Sequence, residues 1–178
     1  MGINVNTLKA LSLLSDEKKF NKQSVITLGR QNICFSARQL RSVFQHTNLL
    51  TSEQCKKIAS STFADSLFQE LGFSVIHSMD YSDFEGAQLL HDLNKPIDDI
   101  HRNSYDLVID GGTLEHVFNF PEAVNTCMKL VKKDGHLIIV TPANNLLGHG
   151  FYQFSPELFY GIFSNQNGFD IVQVFCKW

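Results

Sequence analysis

The chain has 178 residues, 43% of them apolar and 19% charged, which is the composition of one globular domain with room for a substantial core. The formal net charge is −3 and no basic run occurs, so neither composition nor charge suggests a nucleic-acid partner. No apolar run reaches 18 residues and no signal peptide is evident; the four cysteines lack a CxxC pair, so the expectation is a cytoplasmic protein with reduced thiols and no membrane contact.

In chain order, Leu8, Leu11 and Leu14 mark one face of a helix over 6–19, ended by the charged residues 16–19. Residues 1–22 are read as an N-terminal covering helix and 23–178 as the main domain. The run SVITL at 24–28 is short, β-branched and apolar, and predicts the first strand, turned by Gly29-Arg30-Gln31-Asn32. Ser36 with Gln39 three residues on forms a capping box for a helix burying Ala37, Leu40, Val43 and Phe44. Thr51 is placed to cap a short helix through Ile58. Thr62 is read as the cap of a helix burying Phe63, Leu67, Phe68 and Leu71 and closed by Gly72.

Residues 73–79 predict a second strand ending at Asp80, and 87–91 a third ending at Asp92. The stretch 105–141 is the most informative. Leu107-Val108-Ile109 is a strand bounded by Asp110-Gly111-Gly112. A one-faced helix follows, with Phe120, Ala123, Val124, Cys127 and Val131 inward, Asn119 as N-cap and Pro121 in the first turn. Lys129, Lys132 and Lys133 suit its C-terminal end, Asp134-Gly135 stops it, and 137–140 is the next strand. Strand, helix and strand in so few residues make a right-handed βαβ crossover. Both strands are apolar without alternation, as strands covered on two faces are. A loop over 142–150, a helix from Ser155-Pro156-Glu157 burying Leu158, Phe159, Ile162 and Phe163, and a last strand over 169–175 just before Trp178 complete the reading. The fold class is therefore α/β: a Rossmann-like, doubly wound, mostly parallel sheet of six or seven strands with helices on both faces. Ligands of such sheets sit beyond the carboxyl ends of the strands, at the switch point, an edge that here carries Asp110, Gly111 and Gly112.

The segment DLVIDGGTLEHVFNFPEAVNTCMKLVKKDGHLIIVTP resembles the second half of a class I S-adenosylmethionine-dependent methyltransferase. Asp110, the run Leu114-Glu115-His116-Val117 and the helix ending Leu130-Val131-Lys132-Lys133-Asp134-Gly135 stand in that family's places. The likeness is specific between Asp106 and Gly135 and, by element order, extends from Val25 onward. It implies S-adenosyl-L-methionine as cofactor. Asp80 would accept from the ribose hydroxyls, with Tyr81 beside it. Asp92 would pair with the adenine amine and Leu93 would offer a backbone donor. Asp110 and Gly111 would face the methionine and sulfonium end.

The first strand departs from the pattern: in Thr27-Leu28-Gly29-Arg30-Gln31 only Gly29 is kept of the acid and spaced glycines usual there. Thr27 replaces the acid, Gln31 replaces a glycine, and Arg30 is a candidate partner for the cofactor carboxylate. His116 and Glu115 are the candidates for a base, and His149 and Tyr152 lie in the loop over the acceptor side.

Each assignment has a plain rival: strand-end aspartates also serve as turn residues, Glu115 as a helix start, and the histidines and Tyr152 as packing or rim groups. The histidines show neither HxH nor HExxH spacing, so the sequence pattern predicts no metal site. The implied activity is methyl transfer to a small-molecule or sugar-like acceptor. A non-catalytic binding or scaffold protein on the same fold is the alternative. A nicotinamide-dependent oxidoreductase is disfavoured by the lack of GxGxxG after the first strand. A missing seventh strand, or a fragmentary chain, would leave a sheet edge open to self-association.

Overall fold

The computed structural model describes residues 2–16, 20–47 and 49–176. The chain opens with a short strand, β1 (Gly2–Ile3), and α1 (Val5–Asp16), whose first turn is capped by the Asn4 side chain accepting from the amides of Asn6 and Thr7. Residues 17–19, the rest of the expected charged helix end, lie outside the described residues, as does Trp178. Then come β2 (Ser24–Leu28), β3 (Asn32–Ile33), α2 (Ala37–Phe44), α3 (Ser52–Ala59), α4 (Asp65–Glu70), β4 (Val75–Asp80) and β5 (Leu89–Leu90). The second half holds β6 (Tyr105–Asp110), α5 (Phe120–Leu130), β7 (Val131–Ile139) and α6 (Pro156–Ile162).

The main sheet is parallel throughout, with order β5-β4-β2-β6-β7. The chain winds one way from β2 to β5, returns, and winds the other way through β6 and β7. The switch point is thus the gap between the tips of β2 and β6, where Leu28 stands opposite Asp110. Successive residues of the central strands feed two separate cores. Val25, Leu107 and Ile109 join Leu8, Leu11, Leu40, Ile58 and Phe68 on the face of α1 to α4. Ile26, Leu28 and Val108 join Ala123, Val124, Cys127 and Leu130 of α5 on the other. This two-sided burial is why the strands lack polar alternation.

The capping box of Ser36 with Gln39 forms, and Thr51 caps α3, with Gln54 completing a second box that was not foreseen. The expectation for Thr62 is corrected: α4 begins after Ala64 with no side-chain cap, and the Thr62 carbonyl instead accepts the Ile33 amide. Asn119 does stand at the N-cap position of α5, but its side chain donates to the Asn94 carbonyl and caps nothing. α5 ends at Leu130, a turn earlier than its charge pattern implies. Lys132 and Lys133 lie in β7, where Asp134 adopts φ 63° in a bulge between the pairings Tyr105–Val131 and Leu107–His136.

Among the described residues the main sheet has five strands, fewer than expected. Residues 169–175 form no ladder; Phe169 turns in after Gly168 and places its ring 5.6 Å from Phe163. It ends an aromatic row running from Phe120 through Phe154, Phe159 and Phe163. A β-prone segment becomes a strand only with a partner, and ring packing has taken its leading residue. α6 is correspondingly shallow: Phe159, Ile162 and Phe163 are half-buried and Leu158 is exposed. A small parallel pair, β1 with β3, was not foreseen; it braces the loop that follows β2. No helix among the described residues is long and apolar enough to cross a membrane.

Candidate functional site

The carboxyl rim of the sheet brings together three groups of residues. The first is the turn after β2. Gly29 takes φ 69° and donates to the Met79 carbonyl at 2.7 Å. Thr27 is buried and its hydroxyl donates to the Gly29 carbonyl at 2.8 Å. Arg30 grips both carboxylate oxygens of Asp65, donates to the Glu85 carbonyl at 2.8 Å, and lies 4.2 Å over the Phe63 ring. Gln31, only 1% exposed, keeps a negative φ, so a side chain at this position carries no backbone strain. Its amide nitrogen donates to the carbonyls of Leu28 and Gly29 at 2.6 and 3.3 Å. Its Oε1 lies against Gly111, where a Cβ would collide with it. The side chain therefore fills the β2/β6 crevice. The cavity beside it, lined by Thr27, Arg30, Gln31 and Ser78 among others, is about 10 Å³, room for one water.

The second group is the acidic tips. Asp110 is fully buried; its Oδ1 accepts from the amides of Thr113 and Leu114 at 2.8 and 3.3 Å. Burial pushes its carboxyl up to about 7, the loop amides of Thr113, Leu114 and Gly112 pull it down, and the Glu115 charge raises it. Asp110 Oδ2 and Gln31 Oε1 are both buried acceptors with no donor among the described residues. Asp80 is half-exposed, its Oδ1 taking the amides of Tyr81 and Ser82. Tyr81 is exposed and Leu93 half-buried. Asp92 accepts from the Asn94 side chain and amide, and Lys95 stands 3.4 Å away; the Asn94 bonds, then Lys95, hold its carboxyl below the usual range.

The third group is a cluster on the β6/β7 side. After Gly112, at φ 101°, a tight turn over Leu114–His116 buries the Glu115 carboxylate and exposes the His116 ring. Glu115 Oε2 accepts from the Thr141 hydroxyl at 3.3 Å, and Oε1 lies 3.5 Å from His149 Nε2. The Glu115 carbonyl accepts the amides of both Phe151 and Tyr152, at 2.8 and 3.2 Å, and so hangs the 142–152 loop from this turn. The Tyr152 hydroxyl donates to the Phe118 carbonyl at 2.6 Å. The rings of His116 and His149 are 5.0 Å apart.

The structure thus gathers Glu115, His116, His149 and Tyr152 at one place. It sets Thr27, Gly29, Arg30, Gln31, Asp110 and Gly111 around the crevice, and leaves Asp80, Tyr81, Asp92 and Leu93 along the rim beyond. Sequence reasoning missed Thr141, a hydroxyl just past β7, and Gly150, whose missing Cβ lets the loop approach the Glu115 carbonyl. The Gly-His-Gly-Phe run was the one available signal for the latter.

No protein-family model matches this chain, and no curated protein matches it. Among solved structures it is similar to the trans-methyltransferase CalH, in a crystal structure of its complex with SAH, with a TM-score of 0.41 and 15% identity. The match covers 76% of this chain and 37% of that one, so this chain spans well under half the length of that protein. The likeness is a distant one of fold, a parallel α/β arrangement.

Proposed function

We propose that the chain transfers a methyl group from S-adenosyl-L-methionine to a small-molecule or sugar-like acceptor. One observation carries this reading: two buried acceptors, Gln31 Oε1 and Asp110 Oδ2, at the switch point with no donor among the described residues. A buried unpaired acceptor costs about 1–3 kcal/mol; an ammonium group on a ligand would satisfy Asp110 Oδ2, and Gln31 Oε1 would find water once its side chain has swung aside. The methionine half of the cofactor does not fit while the Gln31 side chain lies in the crevice. Turning that side chain out breaks two hydrogen bonds, worth about 0.5–1.5 kcal/mol each, and frees one orphaned oxygen. The two sums are of similar size, so opening is inexpensive against a ligand's binding energy, and with Gln31 withdrawn the residues suit the group.

On this reading Asp80 and Asp92 hold the nucleoside half, with Tyr81 and Leu93 beside it. Thr27, Gly29, Arg30, Gln31, Asp110 and Gly111 surround the methionine half. When bound, the cofactor supplies a methyl group on a sulfonium centre. His116 takes a proton from the acceptor where one must leave, with Glu115 as the neighbouring carboxylate, while His149 and Tyr152 shape the acceptor side. Rate would come mainly from holding the two reactants in line.

A second reading, a non-catalytic binding or scaffold protein, is favoured by the near-complete burial of Gln31 and the clamp of Arg30 on Asp65. Calorimetry with S-adenosyl-L-methionine separates the two. Methyl transfer expects binding by the wild-type protein and tighter binding by Gln31→Ala. Absence of heat with both proteins overturns it and leaves the scaffold reading.

A further inference from the structure

We propose that Glu115, His116 and His149 form a binding site for a divalent transition-metal cation, zinc by preference. One ligand atom from each lies within 4.8 Å of the other two. Two donors bonded to a tetrahedral cation at about 2.0–2.1 Å stand about 3.4 Å apart. The Glu115 Oε1 to His149 Nε2 distance, 3.5 Å, already has that spacing. The exposed His116 ring needs a swing of about an ångström to complete the set.

The site is preset rather than assembled by chance. The Glu115 carbonyl holds the Phe151 and Tyr152 amides, which fixes where His149 can reach. The backbone at Gly150 comes so near that an added Cβ would stand 2.8 Å from the same carbonyl. Thr141 donates to the second carboxylate oxygen, the outer-shell bond that orients a metal-ligating carboxylate.

The electrostatics point the same way. The Glu115 side chain is 2% exposed, and no Lys or Arg pairs with it among the described residues; its basic neighbours there are the imidazoles of His149 and His116. A carboxylate so buried calls for a counter-cation. Two imidazoles and a carboxylate, with one side open to solvent through the exposed rings, are the donor set of zinc or ferrous centres that keep a position for an exogenous ligand. The ligands come from a turn after β6 and a loop after β7, 33 residues apart, so no local spacing announces them. With a cation bound, His116 is a ligand and no longer the base. On the methyl-transfer reading the open position would take the acceptor oxygen, and the cation would ease loss of its proton in place of His116. The cation site itself does not depend on that reading.

The test is titration of zinc ion into metal-stripped protein by calorimetry, without any donor molecule. The expected result is one equivalent per chain, with affinity lowered roughly tenfold or more in His149→Ala and in His116→Ala. His46→Ala, an exposed histidine elsewhere, should leave the affinity unchanged. Cobalt(II) should give the visible bands of a low-coordinate centre, lost in His149→Ala. Glu115→Gln adds the loss of charge; because that residue is buried, the two exposed histidines carry the test should this variant misfold. Substoichiometric binding, or an affinity indifferent to both histidine substitutions, overturns the proposal.

Discussion

A single methyl group at position 150 has no place to go, because the oxygen it would meet belongs to the backbone of Glu115 and cannot swing aside. Gly150→Ala should push the loop outward, raise the exposure of His149 and lower the stability by about 1–3 kcal/mol in denaturant titration. Asp110 gives a pH signature. Its folded pKa of about 7 lies above the unfolded value of about 4, so its contribution is fully present below pH 4 and is lost as pH rises through 7. Wild-type stability should fall across that window, and Asp110→Asn should remove that component of the slope. The thiols divide by burial: Cys34 and Cys176 are exposed, while burial pushes Cys55 and Cys127 up, so two of four should react with a thiol reagent in the native protein. At this scale the sequence named Glu115, His116, His149 and Tyr152, because charged and aromatic groups beside a strand tip stand out. It did not reveal the inward turn of Gln31, which depends on the space left by Gly111 across the sheet, 80 residues away.

Among the elements, the bulge in β7 sets Lys132 against Asp106 at 2.9 Å, inside a network with the Ser24 hydroxyl and amide and the Asn21 side chain. Burial raises the Asp106 carboxyl, but the bonds from Ser24 and Lys132 outweigh it and hold the group below the usual range. Lys132→Met should cost about 2 kcal/mol, since a charged hydrogen bond is lost while the remaining donors still satisfy the acid. Thermal or chemical unfolding would measure it. The β6-α5-β7 crossover was readable because its apolar runs and helical period are strong and local. The end of α5 was misjudged because lysines that suit a helix terminus also suit a sheet edge, and here a buried acid claims one of them. β1 and β3 escaped notice because two residues carry no period, and the expected strand over 169–175 failed because strand formation depends on a partner that sequence cannot supply.

For the molecule as a whole, the strand order divides the rim between a crevice at β2/β6, where the winding reverses, and an acid-histidine cluster on the β6/β7 side. β7 has no strand on its far side among the described residues, and Leu137 and Ile139 on it are only half-buried. Association of two copies along this edge would appear as a mass that rises with concentration in analytical ultracentrifugation, and Ile139→Lys would abolish the rise. A sedimentation profile independent of concentration would show the edge to be self-sufficient. One oxygen on the rim has a wider reach: the Glu115 carbonyl is the shared acceptor for two consecutive amides from a segment more than thirty residues downstream. Letting go of that atom frees both N–H groups at once. Deuterium uptake at positions 151 and 152, each corrected for its own intrinsic exchange rate, should therefore report one common opening free energy, and where exchange outpaces reclosing the two amides become a built-in clock for how often the segment lifts.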